Sequence, residues 1–147
     1  MSENKFEKRV FVEGDISVTK HSKTSLQPKG KLLGMDVFLW VFPSEKELTS
    51  TINSFPFPVL WIGNASEITS VFTENPNIRE RIQKVIVLGE ENTEMLKVVR
   101  AELLEDVLAQ IKDWSFKPGI LLFTSTDTNT EHNVYAFNQY LELERNK

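Results

Sequence analysis

Residues 119–143 read Gly-Ile-Leu-Leu-Phe-Thr-Ser-Thr-Asp-Thr-Asn-Thr-Glu-His-Asn-Val-Tyr-Ala-Phe-Asn-Gln-Tyr-Leu-Glu-Leu, and their pattern decides the fold. An unbroken apolar run after Pro118-Gly119 is the pattern of a strand buried on both faces, and a hydroxyl-rich loop then leads into an amphipathic stretch. Strand, polar loop and helix in that order define the unit from which α/β domains are built. Thr128-x-x-Glu131 has the spacing of a capping box, so the helix is expected to begin near 129 with Val134, Phe137 and Leu141 turned inward.

The same unit recurs upstream. Val37–Phe42, Val59–Ile62 and Val85–Leu88 are apolar without alternation, as expected of central strands, and each is followed by a helical pattern. Ser44-x-x-Glu47 opens one helix with Leu48, Ile52 and Phe55 on a face. A second helix is expected from about Ser66, and Asn75-Pro76 restarts the chain. Glu91–Leu96 has a helical pattern, Val98-Val99 forms a short edge strand, and Leu104, Val107, Leu108 and Ile111 mark a helix over 102–114. Four strands at 37–42, 59–62, 85–88 and 120–123 should therefore lie parallel in one sheet with helices on both faces, a Rossmann-like α/β arrangement. Ahead of them, Val10–Val12 and Ile16–Val18 flank Glu13-Gly14-Asp15, which predicts an N-terminal antiparallel hairpin, and residues 20–31 form a basic loop. The 147 residues are expected to form one domain, residues 1–36 as hairpin and loop and 37–147 as α/β core.

Composition narrows the function. The chain has no cysteine, so disulfides and thiol chemistry are excluded. Residues 1–31 carry seven Lys/Arg against four Asp/Glu, and the remainder ten against seventeen. An acidic body gives nucleic acid no counterion-release affinity. No apolar run approaches the ~20 residues of a membrane span, and the N-terminus has no apolar segment behind its charges, so a cytoplasmic address is expected without membrane association. The basic loop lacks the Gly-x-x-x-x-Gly-Lys-Ser/Thr spacing of a phosphate-binding loop, and no nucleotide or other cofactor is expected.

Parallel sheets bind ligands beyond the carboxyl ends of their strands. The candidate binding residues are accordingly Ser44, Gly63, Asn64, Ser66, Asn92, Thr124, Ser125, Thr126 and Thr128. Glu45, Glu67, Glu90, Glu91, Asp127 and Glu131 give these loops an acidic rim, which reads first as stabilisation of helix N-termini and otherwise as a cation-binding crevice. Asp127 and His132 are the candidate acid/base pair of an enzyme. Ser125 stands outside any Gly-x-Ser-x-Gly elbow, and the two histidines, His21 and His132, define no metal site.

The order of elements and several of their ends resemble the C-terminal domain of the Mur ligases, over about residues 37–143. Val59–Gly63 and Val85–Gly89 are similar to that family's glycine-ended strands, and Leu103–Leu122 to the helix, Pro-Gly turn and strand that follow. Leu122–Tyr140 can be laid without gaps on the family segment Leu-Leu-Ser-Pro-Ala-x-x-Ser-Phe-Asp-x-Phe-Lys-Asn-Tyr. In that register Ser125 and Thr130 fall on its two serines, His132 on its Asp, Val134 on its Phe and Phe137 on its Tyr. Pro43–Ile52 is similar to His-Pro-Thr-Glu-Ile-x-x-Thr-Leu, with Glu47, Leu48, Thr51 and Ile52 in register. The polar signature ahead of that segment is replaced by Leu39-Trp40-Val41-Phe42-Pro43-Ser44. The resemblance implies a mostly parallel sheet with one antiparallel strand, without the ATP-binding central domain of a whole ligase. It further implies a noncatalytic binding or regulatory domain linked to peptidoglycan precursors. A small enzyme using Asp127 and His132 and a protein–protein interaction module pairing through a sheet edge are the alternatives. A protein partner and a small polar ligand are both compatible with the sequence, and the oligomeric state is left open.

Overall fold

The computed structural model describes residues 12–14, 16–21, 30–88, 99–101, 107, 109, 111–112, 118–128 and 130–145. Its elements are β1 (Val12–Gly14), β2 (Val18–Lys20), β3 (Gly30–Leu32), β4 (Met35–Val41), α1 (Glu45–Ser54), β5 (Val59–Gly63), α2 (Ala65–Glu74), a 3-10 helix (Pro76–Arg81), β6 (Ile82–Leu88), β7 (Val99–Ala101), β8 (Ile120–Ser125) and α3 (Glu131–Arg145). Residues 107, 109, 111 and 112 are helical, and the rest of the helix expected over 102–114 lies outside the described residues, as does the one at 91–96.

The sheet runs β1-β3-β4-β8-β5-β6-β7, with β2 also paired to β4. The four strands expected to be parallel neighbours are so: β4 with β8, β8 with β5, and β5 with β6. The short strand after them extends the same parallel set as β7. β3 is antiparallel to both β1 and β4. It alone, among the described strands, runs against the rest.

Two-sided burial explains the apolar runs. Side chains alternate across a strand, so β8 sends Leu121 and Phe123 to one layer and Ile120 and Leu122 to the other. The first layer is closed by Val107, Ile111 and the α3 residues Val134, Phe137 and Leu141; the second by Leu48 and Ile52 of α1 and Ile68, Val71 and Phe72 of α2. Helices thus cover both faces.

The expected N-terminal hairpin is corrected. β1 pairs with β3 in the register Val12↔Leu32, while β2 lies parallel to β4, Val18 opposite Leu39. The hairpin that exists is β3–β4, closed by Leu33 and Gly34 with φ of 51° and 87°. Two left-handed residues are what a two-residue I′ turn requires. Leu33 occupies the position more often given to Asn or Asp, and its side chain packs on the first core layer. Lys31 and Asp36, opposite each other in this hairpin, approach to 3.6 Å.

Helix boundaries follow their caps. The Ser44 hydroxyl accepts from Glu47 N at 3.1 Å and Asn64 caps α2 through Glu67 N at 2.9 Å. Asn75-Pro76 restarts the chain as a 3-10 helix, with Ile78 buried and Ile82 already in β6. The helix expected near 129 begins at Glu131, after a turn in which the amides of Thr130 and Glu131 both reach the Asp127 carbonyl.

Gly119, just before β8, is held by close approach: a Cβ placed there would stand 2.5 Å from Phe57 Cβ, on the connector between α1 and β5. Gly119→Ala is expected to destabilise the protein by roughly 1–3 kcal/mol, the usual result of forcing a methyl into a packed contact, as read by urea unfolding. An unchanged midpoint would show that the Phe57 segment yields freely.

Candidate functional site

Chain direction creates the opening. α1 and α2, which follow β4 and β5, both cover the second core layer, whereas α3, which follows β8, covers the first. β8 lies between β4 and β5, so the connections diverge to opposite faces at its carboxyl end, the place where open parallel sheets offer a crevice. A cavity of about 410 Å³ lies there. Pro43, Glu45 and Leu48 come to it from the start of α1, Ser66, Glu67, Ser70 and Val71 from α2, and Thr126 from the end of β8.

Glu67 is the unusual member. It is 7% exposed, and its Oε1 accepts the Thr124 hydroxyl at 2.6 Å; that hydroxyl in turn accepts the Trp61 indole N–H at 2.9 Å. Burial pushes its pKa up from an ordinary 4.5 to about 7, against the smaller downward pulls of the Thr124 hydroxyl and the Thr126 backbone amide. Oε2 is buried and has no hydrogen-bond partner among the described residues. Glu45, the second carboxylate of the crevice, is exposed and accepts the Ser70 hydroxyl at 3.4 Å, linking the two helices at their surface.

Asn64, Ser125 and Thr130 form a separate support. Ser125 Oγ lies 2.7 Å from Thr130 Oγ1, Asn64 Nδ2 donates to Thr130 Oγ1 at 3.4 Å, and Ser125 Oγ donates to the Asp127 carbonyl at 3.0 Å. The loop after β8 is thereby fastened to the cap of α2. Ser125 is 1% exposed and its hydroxyl serves this fastening.

Of the residues chosen from sequence, Ser66 and Thr126 line the crevice, Thr124 stands behind it, and Asn64 and Ser125 hold its loops. Gly63 is buried, leaving 3.5 Å between a would-be Cβ and Thr124 Oγ1. Ser44 is an exposed helix cap and Thr128 an exposed loop residue, both outside the lining. Asn92 lies outside the described residues. Asp127 and His132 are both exposed and neither lines the crevice. Among the described residues no group of three or more His, Asp or Glu is placed to hold a metal, and no helix is long and apolar enough to cross a membrane.

The sequence pattern marks Glu67 only as part of the acidic rim. The signal was present: it precedes Val71 by four and Ile68 by one, which puts it on the inner face of α2, where a carboxyl must find partners.

No family model, curated protein or solved structure matches this chain, so the chemistry of the site rests on its own residues.

Two outcomes follow from the buried carboxyl. A pKa raised on folding means that its contribution to stability is fully present below about pH 4.5 and is lost as the pH rises through about 7. Glu67→Gln, neutral throughout, is expected to match the native chain near pH 4.5 and exceed its stability at pH 8 by roughly 3 kcal/mol, read by urea unfolding at each pH. Parallel pH profiles for the two proteins would sink this. Thr124→Val strips both Trp61 Nε1 and Glu67 Oε1 of their partner. A loss of about 2 kcal/mol and a still higher Glu67 pKa, followed by carboxyl ¹³C shifts, are expected.

Proposed function

We propose that the chain is a noncatalytic binding or regulatory domain, Rossmann-like and of the Mur ligase C-terminal type, acting in the cytoplasm. Its ligand site is the crevice between α1, α2 and the end of β8. The observation that carries the reading is the convergence on one cavity of the loops after three parallel strands, with a buried polar group at the wall. The Gly89–Asn92 loop, the fourth expected contributor, is outside the described residues. The resemblance lends support because it implies a mostly parallel sheet with one reversed strand, which is the role β3 has here. It also ties the ligand to peptidoglycan precursors. For an enzyme built on Asp127 and His132, both residues are exposed and neither lines the crevice.

Amidated muramyl peptides without the nucleotide, and so without a diphosphate to meet Glu45, are therefore the first ligands to try. A ligand at ~100 times its dissociation constant stabilises the folded state by ~2.7 kcal/mol, several degrees of melting temperature for a domain of this size. That shift is expected with the native chain and not with Ser70→Trp, which fills the crevice from an exposed helix position. A shift that survives Ser70→Trp places the ligand elsewhere. Mg-ATP is expected to give none, since Glu45 and Glu67 face any phosphate that enters, and ATP hydrolysis by the purified chain would defeat the noncatalytic reading.

A further inference from the structure

The Thr124 hydroxyl has one proton to give. An indole N–H can only donate, so the contact with Trp61 makes Thr124 Oγ1 an acceptor there, and its own proton goes to Glu67 Oε1. Hydrogen-bond polarity is thus fixed from indole to carboxyl. Oε1 is held as an acceptor, and the hydrogen of a protonated Glu67 sits on Oε2, the oxygen without a partner among the described residues. The result is a donor on Glu67, a residue that lines the cavity of about 410 Å³, with Oε2 itself closed to solvent.

We infer that the crevice takes an uncharged ligand group that presents a carbonyl-type oxygen, such as a carboxamide, to the Glu67 carboxyl, a small turn of which brings Oε2, closed to solvent in this structure, to the ligand. This rests on the crevice being a binding site and adds the polarity of what enters it. An anion would meet Glu45 and no cation among the described residues of the lining. An ammonium group needs Glu67 ionised where burial opposes ionisation. Leu48 and Val71 supply apolar wall for the ligand's hydrocarbon part.

Around Glu67, β5 and β8 bring Trp61, Thr124 and Thr126, none of which titrates near neutrality, and α1 brings Glu45, at the exposed side of the crevice. The proton on Glu67 therefore sets the pH response.

The test is a ¹H–¹⁵N NMR titration of the full chain with acetamide, and with acetate and methylammonium as charged probes of like size. It is run at about pH 5.5 and about pH 8.5, on either side of the Glu67 pKa of about 7. Acetamide should move the amides of Ser66, Ser70 and Thr126, with an affinity roughly 30-fold weaker at the higher pH, because only the protonated carboxyl donates. Glu67→Gln, which keeps a donor at both pH values, should bind acetamide without pH dependence, and a folded Glu67→Leu should lose it. Preference for acetate or methylammonium, or acetamide binding by the native chain that ignores pH, overturns the inference and leaves the binding site standing. If none of the three probes moves these amides, both fall.

Discussion

β8 is hydrogen-bonded on both edges and buried on both faces, and the arrangement of everything else depends on it. Its edges are taken by β4 and β5 over nearly the whole strand, and its faces by two separate apolar layers. A strand so enclosed has no surface left for water, which is why its sequence is an unbroken apolar run until Thr124 and Ser125. Those two polar residues end the strand at the level where the covering helices separate. The crevice is the geometric consequence of one strand's helix going one way and its neighbours' helices the other.

Polar groups at that level have to be satisfied inside the protein, since a buried donor or acceptor left alone costs about 1–3 kcal/mol. Thr124 continues the alternation of Ile120 and Leu122 and so enters the same layer as Trp61 and α2, where it joins the indole to Glu67. Ser125 points the other way in the pleat and secures the following loop through Thr130 and the Asp127 carbonyl. Thr126 is exposed at the crevice, but its two predecessors are both anchored. Further strain is stored next door: Phe42, with φ of 57°, turns the chain off β4 toward α1, its amide bonded to the Ser125 carbonyl at 2.7 Å and its ring stacked on His21. The crevice is framed by segments with little freedom to shift.

Much of the central sheet was legible in the sequence, because two-sided burial writes itself as continuous apolar runs and helix starts as Ser, Asn and Pro at fixed offsets. What was not legible was pairing between short strands. Val12 and Val18 flank a turn-like Glu-Gly-Asp, which reads as a hairpin, but local alternation says nothing about a partner farther along the chain. The real hairpin hid behind Leu33, a residue kept for its packing at a position whose backbone favours Asn. At the site, the loops were legible from topology alone. Glu67 does not stand out in the sequence, since a glutamate three residues after a helix cap ordinarily faces water. Its inward direction is visible only when the helical face and the hydroxyl of Thr124 are considered together.

The placement of β8 also has a kinetic side. Asp36 and Val59, both early in the chain, find their common partner only at Ile120. Pairings of such long range carry a large loop-closure entropy and slow folding relative to local contacts. As the polypeptide emerges from the ribosome, β4 and β5 are complete while the strand that must lie between them is still being made. Each then presents an edge of unpaired N–H and C=O groups, between apolar faces, that no local hairpin can cover, the condition under which nascent chains associate wrongly. A wrong direct pairing of β4 with β5 would have to open again before β8 could enter.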